Sequence, residues 1–168
     1  MVIWLIGLSG SGKTTIGKEI YRIYKKECSN IVFLDGDILR EVWADNLSHD
    51  LKGRKINAER ISKLCQLLDN QNINIIACVL SIFPEWQEWN RKNLSNYRQI
   101  YLYSPISFLI KQDNKGLYKR AQSGEISNVV GVDIEFPEPL ESDLIIDNSI
   151  RDKSPTKIAY DIFNELIK

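Results

Sequence analysis

A glycine-rich segment near the start of the chain constrains its fold more than any other stretch. Residues 7–14 read Gly-Leu-Ser-Gly-Ser-Gly-Lys-Thr and fit the pattern G-x-x-x-x-G-K-[ST] at every fixed position. The apolar run Val2–Ile6 before it is typical of a buried strand, whereas Ile16, Ile20 and Ile23 after it recur at helical spacing. The sequence therefore predicts a strand, a tight glycine loop and a helix.

This arrangement suits the binding of phosphate groups. Glycines let the backbone approach phosphate oxygens, successive N–H groups form an anion-binding concavity, and the helix N-terminus adds its positive dipole end. Lys13 is expected to reach the β- and γ-phosphates of a nucleoside triphosphate, and the Thr14 hydroxyl is expected to ligate Mg²⁺. The residues of the loop that are predicted to bind it are Gly7, Ser9, Gly10, Ser11, Gly12, Lys13, Thr14 and Thr15.

Length and charge narrow the class of protein. The 168 residues suffice for one domain, and the 22 basic residues balance the 22 acidic ones, so neither nucleic acid nor a membrane surface is favoured as a partner. No apolar stretch approaches the ~20 residues of a membrane span. The distant cysteines Cys28, Cys65 and Cys78 indicate free thiols in a cytoplasmic protein. The single histidine, His49, argues against histidine metal sites and Ser-His-Asp chemistry.

Downstream of the loop, short apolar runs alternate with amphipathic stretches. This alternation predicts an α/β fold with a parallel sheet and helices on both faces, which with the glycine loop is a P-loop NTPase fold. One helix is predicted over 54–69, after a polar loop over 46–53. The five predicted strands cover residues 2–6, 31–34, 75–80, 98–103 and 144–146.

The stretch at about 112–139 is polar, contains glycines and closes with two prolines. A segment of this length inside a compact domain is more often a functional lid than a passive connector. It is therefore predicted to be a lid inserted into a single P-loop domain over 1–168.

A carboxylate follows the second predicted strand directly, in Asp35-Gly36-Asp37. Open α/β sheets bind ligands beyond the carboxyl ends of their strands, so this is a favourable place for a functional group. Asp37 is also expected to cap a short helix that carries Arg40.

Further stretches downstream of the P-loop carry a recognisable pattern. They are Asp35-Gly36-Asp37 with Arg40, then Arg54 with Asn57 and Arg60, Lys115-Gly116-Leu117-Tyr118-Lys119-Arg120-Ala121, Gly124-Glu125-Ile126, Gly131-Val132-Asp133 and Pro137-Glu138-Pro139. With the P-loop, which many NTPases share, and the highly specific lid motif, the chain resembles the adenylylsulfate kinase family over nearly its whole length. The resemblance implies a P-loop kinase domain that uses ATP and Mg²⁺ to phosphorylate the ribose 3′-hydroxyl of a small nucleotide, adenosine 5′-phosphosulfate.

The same resemblance assigns residue roles. Lys13 and Asp35 are implied to be catalytic, and Thr14 and Asp35 are implied to hold the metal. Arg40 and Arg54 look like clamps for the 5′ anionic group, although spacing alone favours a solvated helix face for Arg54. The implied substrate-binding residues are Asp37, Arg40, Arg54, Asn57, Ser81, Lys115, Gly116 and Leu117, and Lys115 is also assigned to ATP.

The chain departs from the family pattern on the substrate side. In the family, two phenylalanines sandwich the adenine of the acceptor. Neither is found here: the corresponding residues 46–50 read Asn-Leu-Ser-His-Asp, and residues 128–131 read Asn-Val-Val-Gly. Base stacking is worth ~1–3 kcal/mol, so adenine recognition should be weakened. The chain looks like the variant of the family that acts on cytidine 5′-diphosphoramidate in capsular phosphoramidate biosynthesis, with adenylylsulfate as the alternative acceptor.

Other classes of function find less support. A GTPase switch would need an Asn-Lys-x-Asp motif, whereas the Asn-Lys pair at 114–115 is followed by Gly-Leu. A non-catalytic nucleotide-binding regulatory module would not need Lys13, Thr14 and Asp35 together. Trp86 and Trp89 are expected to pack internally or at a dimer contact, with lining of the substrate pocket as the less favoured alternative, and a homodimer is one expectation.

Overall fold

The computed structural model describes residues 1–43, 47–113 and 116–167 of the chain. In chain order the elements are β1 (Val2–Ile6), α1 (Lys13–Tyr24), β2 (Ile31–Asp35), α2 (Gly36–Val42), α3 (Leu51–Asp69), β3 (Asn74–Val79), α4 (Pro84–Asn93), β4 (Tyr97–Tyr103), α5 (Ile106–Lys111), α6 (Leu117–Gln122), β5 (Leu144–Asp147) and α7 (Pro155–Ile162). A π-helical turn over Phe163–Ile167 follows α7.

The five strands form one parallel sheet in the order β2-β3-β1-β4-β5, which confirms the predicted fold class. All five residues of β1 are buried because the strand lies between β3 and β4 and is covered on both faces. Its central position explains the uninterrupted apolar run of the sequence. All carboxyl ends of the strands meet at one edge of the sheet.

Helices cover both faces of the sheet. On one face, Ile3 and Leu5 of β1 pack with α1 and α7. On the other, Val2, Trp4 and Ile6 pack with α2 and α3. The alternation of side chains along β1 therefore divides one strand between two apolar cores.

A third apolar cluster lies beyond the carboxyl edge of the sheet, beneath the lid. It joins Leu8 of the glycine loop, Leu109 of α5 and Tyr118 of α6 with Val129 and Val130. The lid is thus packed on the domain by its own small core.

None of the helices in the described part of the chain combines the length and apolar character that a bilayer span requires.

Several predicted boundaries were wrong. Helix α3 begins at Leu51 rather than Arg54, because the Asp50 side chain accepts a hydrogen bond from the Gly53 backbone N–H at 2.8 Å and caps the helix. Its first turn therefore includes residues 51–53, three of the eight residues predicted as a loop. The lid also contains helix α6, which its polar composition did not indicate.

Candidate active site

The glycine loop connects β1 to α1 in the predicted way. Gly10 and Gly12 have φ angles of 81° and 102°, a region that residues with a Cβ rarely adopt. Asn148 follows β5 and donates a buried hydrogen bond of 2.9 Å to the Ser11 carbonyl. The Lys13 ammonium donates to the carbonyls of Gly7 and Leu8, each at 2.8 Å, so its charge lies inside the loop.

A hydroxyl and a carboxylate meet beside this loop. The Thr14 hydroxyl donates a 2.6 Å hydrogen bond to Asp35 Oδ2, which links the start of α1 to the end of β2. Asp35 is 8% exposed and lines the same cavity as Lys13. Hydroxyl and carboxylate oxygens are ligands that Mg²⁺ prefers, so the donor set fits the predicted metal.

Asp35 also caps α2, a role that the sequence had suggested for Asp37. The other carboxylate oxygen, Oδ1, accepts a hydrogen bond from the Asp37 backbone N–H at 3.0 Å. Asp37 lies in the first helical turn, because Gly36 is already helical, and the prediction of an Asp37 cap was wrong. Both oxygens of Asp35 are therefore occupied, which fixes the orientation of the carboxylate.

Arg40 and Arg54 lie on α2 and α3 and face the same cavity. Arg40 Nη1 donates to the carbonyls of Leu47 and Ser48 at 2.9 and 3.2 Å. Burial lowers the pKa of Arg40, and burial together with the charge of Arg40 lowers the pKa of Arg54. Two guanidinium groups close enough to repel each other form a site that an anion would stabilise.

Asn57 and Ser81 contribute polar groups to the cavity wall. Asn57 Oδ1 is buried and has no hydrogen-bond partner within the described residues. Ser81 has a positive φ of 55°, and its side chain and carbonyl accept hydrogen bonds from Trp4 and Gln87. A buried acceptor without a partner is costly, so Asn57 is suited to a ligand that carries a donor.

The lid is attached to the glycine loop. The Tyr118 hydroxyl of α6 donates a 2.7 Å hydrogen bond to the Ser9 carbonyl, and burial raises the pKa of Tyr118 to about 12. Gly116, the N-cap residue of α6, has a φ of 67°, and the Leu117 backbone N–H donates to the Asp113 side chain. The prediction for Lys115 falls outside the described residues.

These groups line one cavity of about 1210 Å³ at the carboxyl edge of the sheet. Three of the predicted site residues that the structure describes do not line this cavity. Gly7 and Ser11 of the glycine loop are buried, and Gly116 directly precedes the lining residue Leu117. The predicted site residues that line the cavity are Ser9, Gly10, Gly12, Lys13, Thr14, Thr15, Asp35, Asp37, Arg40, Arg54, Asn57, Ser81 and Leu117.

Other cavity residues were not among the predicted site residues. Trp86 lines the cavity, which was the less favoured of the expectations for it, and packs edge-on against Trp89 with ring centroids 5.5 Å apart. His49 and Arg151 also line it, and Arg151 Nη2 donates to the Gly10 carbonyl at 2.8 Å. His49 belongs to the stretch 46–50 in which the family phenylalanine is missing, and that departure was the sequence signal for it.

The glycine loop, the paired hydroxyl and carboxylate, and the lid over a shared cavity define a P-loop kinase. Comparison with known proteins names the family. The family model for adenylylsulphate kinase matches residues 1–147, and the chain belongs to this family. It is therefore a phosphotransferase, in a family that uses ATP.

Three relatives illustrate the likeness. The cytidine diphosphoramidate kinase of Campylobacter jejuni is 45% identical over 94% of this chain and 91% of its own length. A probable adenylyl-sulfate kinase of Archaeoglobus fulgidus is 31% identical over 90% of this chain and 98% of its own length. The solved structure of the Mycobacterium tuberculosis APS kinase with AMPPNP and APS has a TM-score of 0.85 at 27% identity, covering 97% of this chain and 95% of that one.

Proposed function

We propose that this kinase transfers the γ-phosphoryl group of ATP to the ribose 3′-hydroxyl of cytidine 5′-diphosphoramidate. The observation that carries the proposal is a single cavity with phosphate-binding groups at the glycine loop and two guanidinium groups at Arg40 and Arg54. This arrangement suits a nucleotide donor and an anionic nucleotide acceptor. The 45% identity with the Campylobacter jejuni kinase favours the cytidine acceptor.

In the proposed reaction, the 3′-oxygen of the acceptor forms a bond to the γ-phosphorus, and the bond from that phosphorus to the β–γ bridging oxygen breaks. ADP leaves, and the hydroxyl proton passes to a base or to solvent. Such a transfer depends mainly on positioning and on charge neutralisation. Lys13 supplies a positive charge at the phosphates, and Asp35 orients the acceptor hydroxyl or takes its proton.

Mg²⁺ fits beside Thr14 and Asp35, whose oxygens lie 2.6 Å apart. When bound with ATP, the ion would neutralise charge on the phosphate oxygens. Thr14 would ligate the ion directly, and Asp35 would hold it through its carboxylate or through bound water. The lid, with Lys115, Gly116 and Leu117, would limit hydrolysis by excluding water from the reacting groups.

The acceptor side is assigned by charge and by hydrogen-bonding capacity. Arg40 and Arg54 are proposed to face the 5′ anionic group, because both are partly buried guanidinium groups of the cavity wall. Asn57 is proposed to accept a hydrogen bond from the ligand through its buried Oδ1. Ser81 and Asp37 complete the polar wall of this part of the cavity.

Adenylylsulfate is the second candidate acceptor. The adenylylsulphate kinase model matches residues 1–147, and relatives with that activity in their names reach 31% identity. The missing phenylalanines at residues 46–50 and 128–131 argue against it. A regulatory role without catalysis is less favoured, since Lys13, Thr14 and Asp35 come together in one site.

We further propose a cytoplasmic location, because the structure has free thiols at Cys28, Cys65 and Cys78.

A homodimer remains a prediction that measurement of the mass in solution would test. Trp89 would be available for such a contact only in part, because the Lys63 ammonium lies 4.1 Å from its ring centroid.

A coupled assay of ADP release over a panel of nucleotide acceptors tests the proposed function. Turnover should require ATP, Mg²⁺ and cytidine 5′-diphosphoramidate, and Lys13→Ala should abolish it in a folded protein. Lys18→Ala is the matched control, because Lys18 is an exposed residue of the same helix outside the glycine loop. Full activity of Lys13→Ala, or no ADP release with any acceptor, would refute the proposal.

A further inference from the structure

Three polar atoms in the wall of the cavity are buried and have no hydrogen-bond partner among the described residues. They are Asn57 Oδ1 and Ser62 Oγ on α3 and Trp86 Nε1 on α4. Neither Ser62 nor Trp86 has a role in the proposed reaction. Buried polar atoms in proteins are nearly always hydrogen-bonded, so atoms of this kind in a cavity wall indicate that a ligand supplies the partner.

The three atoms differ in the hydrogen bonds that they can make. The Ser62 hydroxyl can rotate and donate to a backbone carbonyl of the preceding turn, as serines within helices often do, so it does not require a ligand. Asn57 Oδ1 can only accept a hydrogen bond, and Trp86 Nε1 can only donate one. A ligand group that satisfies both must therefore carry an acceptor and a donor.

Contacts outside the cavity hold the helix of Trp86 against α3. The Trp86 ring packs edge-on against Trp89, and the Trp89 ring centroid lies 4.1 Å from the Lys63 ammonium of α3. An ion pair of 3.0 Å between Lys55 and Glu85 joins α3 to the first turn of α4. The donor and the acceptor therefore lie on two walls whose separation is fixed.

Asn57 lies next to the guanidinium group that is proposed to bind the 5′ anionic group. It follows Arg54 by three residues on α3, which places the two side chains on one face of the helix, about 4.5 Å apart along its axis. Both residues line the cavity. A diphosphate chain held at Arg54 therefore has its terminal group within reach of Asn57.

We propose that Trp86 Nε1 and Asn57 Oδ1 recognise the terminal group of the acceptor's 5′ chain, with the indole N–H donating to a P–O oxygen and the carboxamide oxygen accepting from the P–NH2 group. This inference rests on the proposed function. A phosphoramidate end carries both an acceptor and a donor, whereas a sulfate end of equal charge carries acceptors only and would leave Asn57 Oδ1 unpaired. Asn57 is then the residue that discriminates between the two ends, and Trp86 binds either of them.

The first test changes only the terminal group of the acceptor and needs no variant. Cytidine 5′-phosphosulfate has the same base, ribose and charge as cytidine 5′-diphosphoramidate, with a sulfate end in place of the phosphoramidate end. Wild type should phosphorylate the diphosphoramidate with a kcat/KM at least ~10-fold higher, which corresponds to ~1.4 kcal/mol. An equal or lower kcat/KM would overturn the inference, because Asn57 Oδ1 would then not favour a donor.

Two variants locate the preference in the structure. Asn57→Leu keeps the approximate size of the side chain without its hydrogen bonding, so it should reduce the ratio between the two acceptors to below ~3. Trp86→Phe keeps an aromatic ring without the N–H, so it should lower kcat/KM for both acceptors by a similar factor of ~5 to 10. Trp89→Phe is the matched control and should behave like wild type, because Trp89 lies on the same helix outside the cavity lining.

The losses should concern the acceptor and not ATP. KM for ATP should remain within about twofold in each variant, because ATP is proposed to bind at the glycine loop. Thermal unfolding of each variant checks that the fold is retained.

Wild-type kinetics of Trp86→Phe on both acceptors would overturn the inference. An unchanged ratio in Asn57→Leu would also overturn it, and is the result expected if this pair contacted the base instead. Either result leaves the proposed kinase activity intact. Failure of wild type on both acceptors would instead refute the proposed function and the inference with it.

Discussion

Replacement of Asp35 by asparagine separates the chemical role of this carboxylate from its structural role. In the structure Oδ1 caps α2 through the Asp37 N–H, and Oδ2 accepts from the Thr14 hydroxyl at 2.6 Å. Asparagine keeps one oxygen for the cap, and its amide group can donate to the Thr14 hydroxyl oxygen. The fold should therefore tolerate the change, whereas the negative charge beside the phosphates is lost.

The expected magnitudes differ for the two roles. Turnover of Asp35→Asn should fall at least about 100-fold, the scale of a lost general base. Stability should fall by less than about 1 kcal/mol, whereas Asp35→Ala, which also removes the cap, should cost about 0.5–2 kcal/mol. Urea unfolding and single-turnover kinetics measure the two effects, with Asp152→Asn as the control, because Asp152 is exposed and lies outside the cavity lining. Turnover of Asp35→Asn within about twofold of wild type would refute the catalytic role.

Three further predictions concern packing, the lid and titration. Gly17→Ala should lower the free energy of unfolding by about 1–3 kcal/mol, because the added Cβ would overlap the Cys78 sulfur. In a Cys78→Ala background, urea unfolding should show a cost no more than half as large. An equal cost in both backgrounds would contradict the packing argument. Tyr118→Phe removes the hydroxyl bonded to the Ser9 carbonyl, so calorimetry should show a loss of about 1 kcal/mol and a Tm lower by roughly 2–4 °C; an unchanged Tm would count against that bond. The single histidine signal in proton NMR should titrate below 6.5, because burial and two arginines oppose protonation of His49. The folded state then binds fewer protons than the unfolded state, so this residue should reduce stability as the pH falls through about 6.5, and a titration above 6.5 would show the sign to be wrong.

The fold was predictable because its strongest signals are local. The apolar runs of β1 and β3 indicate buried parallel strands, and the glycine loop places a helix directly after β1. The order of the strands in the sheet was not predicted, because it depends on tertiary packing that no local pattern encodes. The position of Asp35 in the cavity wall was predictable because Asp35 ends β2, at the edge of a parallel sheet where ligands bind.

The details that were missed depend on contacts between distant residues or on backbone geometry. Asp35 rather than Asp37 caps α2, because Gly36 already adopts helical geometry. The lid helix α6 is short and polar, and the packing of Tyr118 against the glycine loop stabilises it. The location of His49 depends on hydrogen bonds from Arg40 and Arg54 to backbone carbonyls, which side-chain patterns do not reveal.

Direct comparison of the two acceptors, with phosphorus NMR to locate the new phosphate, tests the central claim most closely. The account predicts a 3′-phosphorylated product from cytidine 5′-diphosphoramidate, with kcat/KM at least ~10-fold above adenylylsulfate. That ratio requires only ~1.4 kcal/mol of differential transition-state binding, less than the upper range for one lost stacking contact. Efficient phosphorylation of adenylylsulfate, with none of the cytidine nucleotide, would contradict it.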